Sequence, residues 1–450
     1  MQYRRHDTIA ALATAPGTGA VAIVRLSGPA AQSICRAIVG CEVRPRYAEL
    51  CSFRDADGER IDQGLVLFFP APNSYTGEDV VELHGHGGRT VSDRLLERAF
   101  TLGARGAEPG EFTLRAFLND KLDLLQAEAV ADLVASGSAS AARAALRSLD
   151  GQFSARVAAI QAGLTQLRVK IEAWLDFPEE ELAFDAAADC EAALDALLAD
   201  LAALATQAQS GATLRDGLTV TIAGPPNAGK SSLLNRLAGY DAAIVTDIPG
   251  TTRDPLREHL SLDGLAVSIV DTAGLRESAD PIEREGLRRA RVEVGRADRV
   301  LWVADVREPL EASLAAARAA VAGTPFTLVR NKLDLLESAI AHTTPPTANA
   351  IAIHVSALTG EGIDALIAHL HAVAGFTGDA PGTFSARRRH LDALERARGR
   401  LAVARSAIGG ALELAAEELR QAQAALGELT GELTSDDLLG EIFATFCIGK

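Results

Sequence analysis

The stretch Gly224-Pro-Pro-Asn-Ala-Gly-Lys-Ser231 decides the reading of this chain. It follows a strand-like apolar run, Leu218–Ala223, and leads into a helix-like run, Ser232–Leu237. Gly224 and Gly229 permit a tight backbone turn whose amide hydrogens point at phosphate oxygens. Lys230 can then reach β- and γ-phosphates, and the Ser231 hydroxyl can ligate Mg²⁺. The following helix presents its positive dipole end to the same anion. Asn227, Ala228, Gly229, Lys230, Ser231 and Ser232 are therefore the candidate phosphate contacts, with Lys230 also a candidate catalytic group.

Outward from this loop, between Leu214 and about Gly375, strands and helices alternate, which predicts a parallel α/β sheet. Strands are expected at Leu218–Ala223, Val267–Val270, Val300–Val306, Phe326–Val329 and Ile351–Val355. The pair Asp263-Gly264 predicts a hairpin and one antiparallel edge strand before Val267.

Three further motifs fall at strand ends. Asp271-Thr-Ala-Gly274 places a carboxylate where it can hold Mg²⁺ through water and a glycine amide where it can sense a γ-phosphate, making Asp271, Thr272, Ala273 and Gly274 nucleotide contacts. Asn331-Lys332-Leu-Asp334 offers a carboxylate that accepts from the ring N–H and exocyclic amine of guanine. Adenine has neither donor there, so the expected substrate is GTP. Ser356-Ala357-Leu358 brings a backbone amide toward the guanine carbonyl. Four such motifs in order define a Ras-like GTP-binding domain. The segment Ile244–Asp254 is the expected first switch, with Thr252 as the Mg²⁺-sensing hydroxyl and Thr251 beside it. Leu275 follows Gly274 where Ras carries its water-orienting glutamine, so hydrolysis needs another solution.

The 450 residues exceed one core and predict about three domains. A hydrophobic content of 48% and 23% charged residues fit an ordinary globular protein, and the net charge of −16 gives no general basic field for nucleic acid. Any RNA contact is local or made by a partner. Five cysteines, Cys35, Cys41, Cys51, Cys190 and Cys447, provide neither a disulfide framework nor zinc spacing, so a reducing cytoplasm is the expectation. No signal peptide or membrane span is expected; the most apolar helical tract, Cys190–Ala205, is interrupted by Glu191, Asp195 and Asp200.

From Asp7 to about Leu118 short β-like runs alternate with Gly/Pro turns and one helical run, Val91–Leu102, reading as a compact α+β domain. There Val80–His84 is a strand carrying Glu82, and His84 and His86 read as satisfied or solvated loop imidazoles. From Asn119 to about Gly211 the spacing of apolar residues predicts long amphipathic helices broken clearly only at Asp176–Glu180. Helical composition returns from Ala386 through Thr434, with Thr343–Ala350 read as a linker patch and Arg387-Arg-Arg-His390 as a solvated helix start or local RNA contact. The expected domains are 1–118, a discontinuous all-helical domain at 119–213 and 376–450, and an inserted Ras-like P-loop domain at 214–375, a multidomain α/β and α fold.

The loop Gly224-x-Pro-Asn-Ala-Gly-Lys-Ser-Ser-Leu-Leu-Asn235, the switch Gly250-Thr-Thr-Arg-Asp254 and the terminal Phe446-Cys-Ile-Gly-Lys450 resemble the MnmE (TrmE) family of tRNA-modification GTPases. So do Arg25-Leu-Ser-Gly28, Asn73-Ser-Tyr-Thr-Gly-Glu-Asp79, His84-Gly-His-Gly-Gly88, Pro109-Gly-Glu-Phe112 and Ala116–Leu124. The resemblance implies a homodimeric, K⁺-dependent GTPase, with Asn227, Thr246, Ile248 and Thr251 at the K⁺ and Thr246 also near the nucleotide. It carries the water-orienting acid to Glu283, for which a solvated helix-start carboxylate is the other reading. It implies an N-terminal tetrahydrofolate-binding fold that mediates dimerisation, with Arg25, Glu82, Lys121 and Lys450 as folate contacts and Cys447 nearby, either reactive or a partly buried structural thiol.

The implied reaction, with the FAD-dependent partner MnmG in a heterotetramer, adds an aminomethyl or carboxymethylaminomethyl group to C5 of the wobble uridine of certain tRNAs, using 5-formyl- or methylene-tetrahydrofolate. Two other classes compete. A ribosome-assembly GTPase shares the phosphate loop but needs a basic RNA-binding domain where this chain has an acidic helical segment. A folate-sensing scaffold would modify no tRNA.

Overall fold

The computed structural model describes residues 7–176, 184–239, 257–271, 295, 297–321, 323–336, 343–347, 350–376, 382–432 and 436–449. The chain divides into two compact units, one comprising Met1–Ala131, Ser148–Leu201 and Ala393–Lys450, the other Asp132–Arg147 and Ala202–Asp392.

In the first unit six strands, β1 (Ile9–Leu12), β2 (Val21–Ser27), β3 (Glu49–Arg54), β4 (Arg60–Phe69), β5 (Val80–His86) and β6 (Arg105–Gly106), form one sheet in the order β3-β4-β5-β2-β1-β6. All neighbours are antiparallel except β1 and β6. Helices α1 (Ala31–Val39) and α2 (Arg89–Thr101) supply Ile34, Ile38, Leu95 and Ala99 to a core with Val24, Leu26, Phe53 and Val81. Each such fully buried aliphatic side chain contributes about 1.5–3 kcal/mol. Helix α1 is an addition to the sequence reading: Ala31, Ile34, Cys35 and Ile38 share one face, and Gly40, at φ +80°, ends it in the left-handed conformation.

The sequence also read the tract after Asn119 as nearly unbroken helix. It is cut twice more. Following α3 (Glu111–Leu118) come α4 (Leu124–Ala135), α5 (Ala139–Leu149), α6 (Gln152–Asp176) and α7 (Phe184–Asp216). Ser138 Oγ accepts the Ala141 amide at 3.1 Å and caps α5, while Gly151, at φ +81°, turns the chain into α6. The acidic Glu179–Glu181 cluster lies outside the described residues.

The second unit contains a sheet of seven strands, β7 (Leu218–Ala223), β8 (Arg257–Leu262), β9 (Leu265–Asp271), β10 (Arg299–Asp305), β11 (Phe326–Asn331), β12 (Thr343–Thr347) and β13 (Ala350–His354), in the order β12-β13-β11-β10-β7-β9-β8. The five central strands are parallel and the two edges antiparallel. The hairpin expected at Asp263-Gly264 is present, with Asp263 at φ +47° and Gly264 at φ +92°. Parallel strands need crossovers; among the described residues α8 (Lys230–Ala238) lies between β7 and β8 and α9 (Leu310–Ala320) between β10 and β11, while α10 (Ile363–Ala374) follows the last strand, β13. The patch at Thr343–Thr347, read as linker, is the edge strand β12; its prolines are tolerated because an edge strand with a register shift leaves amide positions unpaired.

Three more helices follow, α11 (Arg388–Ala407), α12 (Leu412–Thr430) and α13 (Asp436–Ala444). Arg387 is not the solvated helix start that the sequence suggested. Its Nη2 donates to Asp132 Oδ1 at 2.7 Å, the same carboxylate that accepts Arg215 Nε at 2.8 Å and Ser385 Oγ at 2.6 Å. Its neighbour Arg388 is solvated, and His390 is buried.

Candidate functional site

The phosphate loop leaves β7, whose neighbours β10 and β9 lie on opposite sides, so crossovers diverge at the carboxyl end of this strand. Such a switch point is where open α/β sheets bind ligands. Gly224 sits at φ +145°, and a Cβ there would stand 2.1 Å from the Val303 carbonyl oxygen. Gly229 sits at φ +90°, where a Cβ would stand 2.3 Å from Asn331 Nδ2. Asn227 is also left-handed, at φ +61°. Only glycine fits the first two positions, and the resulting turn directs successive amides to one side. Lys230 begins α8 and donates from Nζ to the carbonyls of Gly224 at 2.9 Å and Pro225 at 2.8 Å, folding over the loop. The Asn227 side chain is exposed and makes no hydrogen bond among the described residues, while Ala228 is buried beneath the loop and Ser231 and Ser232 are exposed at the helix start.

The base-recognition motifs meet this loop through one buried side chain. Asn331 Nδ2 donates to the Ala228 carbonyl at 2.9 Å, and its Oδ1 accepts the Ala357 amide at 3.0 Å. A single amide thus joins three motifs separated by up to 129 positions in the sequence numbering, from Ala228 to Ala357. Asp334 is exposed and accepts from Ser356 Oγ, which also caps the Thr359 amide at 3.1 Å. Leu358 is exposed beside it.

Two residues that the sequence reading missed hold this arrangement. Asp305, closing β10, accepts Lys332 Nζ at 3.0 Å and pairs with Arg307; the hydrogen bond from Arg307, followed by those from its amide and Lys332, holds the carboxyl well below its usual range against the opposing effect of burial. Arg236 on α8 donates from Nε to the Ala357 carbonyl at 2.9 Å and from Nη2 to Leu358. Asp305 had a signal, a carboxylate ending an apolar parallel strand. Arg236 had none.

The expected switch residues Thr246, Ile248, Thr251 and Thr252, the segment Thr272, Ala273 and Gly274, the acid Glu283 and the terminal Lys450 lie outside the described residues, as does the Asp271 side chain. The Asp271 backbone ends β9, directly beside Ile222 of β7.

In the first unit Arg25 and Glu82 are direct cross-strand partners on β2 and β5. Arg25 donates from Nε at 2.9 Å and Nη2 at 2.8 Å to Glu82 Oε1, and His84 Nε2 lies 3.1 Å from Oε2. The Arg25 guanidinium stacks 5.8 Å from the Tyr75 ring centre and 5.7 Å from that of Phe112, and reaches the Gly449 carbonyl at 3.5 Å. The chain end is seated closely: a Cβ on Gly449 would be 2.2 Å from the Leu12 carbonyl, and the Gly110 amide donates to the Cys447 carbonyl at 3.3 Å. Cys447 itself is exposed, against the partly buried reading of its thiol. Lys121 is exposed, its stem along Gly77, and no hydrogen bond or ion pair joins it to Arg25 or Glu82 among the described residues. The two histidines are strand residues rather than loop residues; His86 Nδ1 bonds Asp62 Oδ1 at 2.8 Å.

The motifs around this pair are braced by Arg115, which is fully buried. Its Nη1 donates to Glu78 Oε2 at 2.9 Å, and its Nη2 to Asp7 Oδ1 at 2.6 Å and Glu111 Oε1 at 3.0 Å. Glu78 in turn accepts Ser27 Oγ at 2.7 Å.

A phosphate loop at the switch point of a parallel sheet, with an asparagine, lysine and aspartate set on the neighbouring strand end, defines a P-loop guanine-nucleotide-binding protein. The chain matches the family described as MnmE helical domain over residues 124–447 and that described as GTP-binding protein TrmE N-terminus over residues 8–121. It is 55% identical over 447 residues to the tRNA modification GTPase MnmE of Alkalilimnicola ehrlichii, covering 98% of this chain and 99% of the relative. It is 52% identical over 450 residues to the protein of that name from Nitrosococcus oceani, covering 99% and 98%, and 54% identical over 452 residues to that from Stutzerimonas stutzeri, covering 99% of each. The chain belongs to the MnmE family of tRNA modification GTPases, and it is a GTP-hydrolysing enzyme of tRNA modification. The names of those relatives favour tRNA modification over the ribosome-assembly alternative. No described helix is long and apolar enough to cross a membrane.

Proposed function

We propose that this chain is a K⁺-activated, Mg²⁺-dependent cytoplasmic GTPase acting as a homodimer with the FAD-dependent protein MnmG. Together they add an aminomethyl or carboxymethylaminomethyl group to C5 of the wobble uridine of certain tRNAs, with a tetrahydrofolate derivative as the one-carbon donor.

The observation that carries the folate half is the assembly of Arg25, Glu82 and Gly449, 424 positions apart at the extremes, into one half-buried polar group. The donor set fits the ligand. A carboxylate offers about four lone-pair sites, of which Arg25 and His84 occupy only part, so Glu82 can still accept from pterin N–H donors. Arg25 orients that carboxylate, while Lys121 and Lys450 offer cations for folate carboxylates. The folate, when bound, supplies the one-carbon unit.

For hydrolysis, Ser231 and Thr252 would hold Mg²⁺, and Asn227, Thr246, Ile248 and Thr251 would hold K⁺. The unengaged Asn227 side chain at the tip of the phosphate loop fits this role. A monovalent cation there, when bound, supplies positive charge between the β- and γ-phosphates. Lys230 adds its own charge at the loop, and Glu283 orients the attacking water.

The test is reconstitution of the chain with MnmG, GTP, Mg²⁺, K⁺, ammonium or glycine as the nitrogen donor and unmodified tRNA, with and without 5-formyl- or methylene-tetrahydrofolate, reading C5-modified uridine by nucleoside mass spectrometry. Glu82→Ala is expected to lower modification at least tenfold while GTP hydrolysis stays within about twofold of the parent, because Glu82 lies in the first unit and the phosphate loop in the second. Modification that persists without folate, or in Glu82→Ala, would sink the folate assignment.

A further inference from the structure

A cavity of about 470 Å³ opens at the end of the second unit's sheet opposite to the phosphate loop. Its walls come from the end of α7, the first residues of β7 and β10, the end of α10 and the start of α11. Two guanidinium groups line it, Arg299 from the first position of β10 and Arg388 from the first position of α11.

Among the described residues Arg299 has no carboxylate partner. Its Nη1 donates to the Phe326 carbonyl at 3.2 Å, while its buried Nε has no hydrogen-bond partner among them. Burial alone pulls its pKa down, with no neighbouring carboxylate offsetting the effect. The two acidic residues on the cavity wall are otherwise engaged: Asp298 Oδ2 accepts the Thr219 amide at 2.8 Å, and Asp216 Oδ1 takes Arg215 Nη1. Among the described residues Arg388 pairs with Asp392 alone, at 3.4 Å, and with 88% of its side chain exposed that pair is weak in water. A guanidinium removed from water without a partner is costly, and its planar fork of N–H donors matches carboxylate and phosphate oxygens.

We infer that this cavity is a binding site for a small anion bearing a carboxylate or phosphate group, held between Arg299 and Arg388. The volume suits a ligand of metabolite size rather than a macromolecule. Strand β10 runs from Arg299 at the cavity to Asp305, which holds Lys332 of the guanine-recognition motif, so the anion site and the nucleotide site share one strand. The site is independent of the folate and K⁺ assignments.

The test uses the full chain saturated with GDP and Mg²⁺, so that the phosphate loop is filled, and titrates inorganic phosphate or malonate at constant ionic strength by calorimetry. Saturable binding of at least one anion is expected, weakened at least tenfold in Arg299→Gln and several-fold in Arg388→Gln, with GDP affinity retained in both. Preference for phosphate identifies a phosphorylated ligand, and preference for malonate a carboxylate; either supports the site. Absence of saturable binding, or binding in both variants equal to the parent, overturns it. If Arg299→Gln fails to fold, Arg388→Gln decides, since Arg388 is exposed on a helix surface: unchanged anion affinity in that variant overturns the assignment.

Discussion

Asp334→Asn is expected to weaken GTP binding by about 10³-fold and to raise affinity for xanthosine triphosphate by a comparable factor. In the proposed site the Asp334 carboxylate would accept from both the ring N–H and the exocyclic amine of guanine; an amide presents a donor to one of them and leaves it unpaired. Xanthine carries a carbonyl in place of that amine and accepts the new donor. The local frame survives the change, because Ser356 Oγ can donate to the amide oxygen as it does to the carboxylate, and Asn331 still ties Ala228 to Ala357. Competition of the two triphosphates against a fluorescent guanine nucleotide measures the shift. Equal losses for both would mean that the substitution disrupts the loop instead of its base preference.

Arg115→Met is expected to destabilise the first unit by about 3–5 kcal/mol. The guanidinium is fully buried and neutralises carboxylates from three parts of the chain, Asp7, Glu78 and Glu111, of which Asp7 and Glu111 are also held by Arg105. Methionine of similar length fills the space but removes the cation from Glu78 and leaves Arg105 alone against the other two. Hydrogen exchange of β1 and β2 should accelerate by about 10²–10³-fold if opening of the unit controls it. The loss should depend on pH in a definite direction. Burial raises the Asp7 and Glu111 carboxyls, but the bonds from Arg105 and Arg115 outweigh it and leave both below their usual values. Groups depressed on folding contribute fully above the unfolded carboxylate range near about pH 4, and the contribution disappears as pH falls through the lower folded values. The variant's deficit should therefore be largest at neutral pH and shrink in acid. Unchanged exchange at neutral pH would show that the cluster is not a bracing element.

Much of the second unit was legible because each of its parallel strands is an apolar run, and because the candidate chemistry sits at strand ends. Leu218–Ala223 and the Asp263-Gly264 hairpin are read directly from pattern. The pairing of Arg25 with Glu82 was not, since it depends on the register of β2 against β5, which composition does not set. Arg115 sits inside a helix beside the motifs that marked the N-terminal region, and nothing in its spacing distinguishes a buried brace from a surface charge. The same holds for Arg387, partly buried against Asp132 although it begins a run of three arginines. Short cuts at Ser136-Gly-Ser138 and Asp150-Gly151 carried turn signals that the strong helical composition on either side masked.

The most direct measurement is GTP hydrolysis by the full chain in K⁺ against Na⁺ at equal ionic strength, with Asn227→Ala alongside. Activation of at least tenfold by K⁺ is expected, and its loss in the variant with GDP affinity largely retained, because the Asn227 side chain holds no other group in place among the described residues. Equal rates in the two salts, or K⁺ activation undiminished in Asn227→Ala, would contradict it.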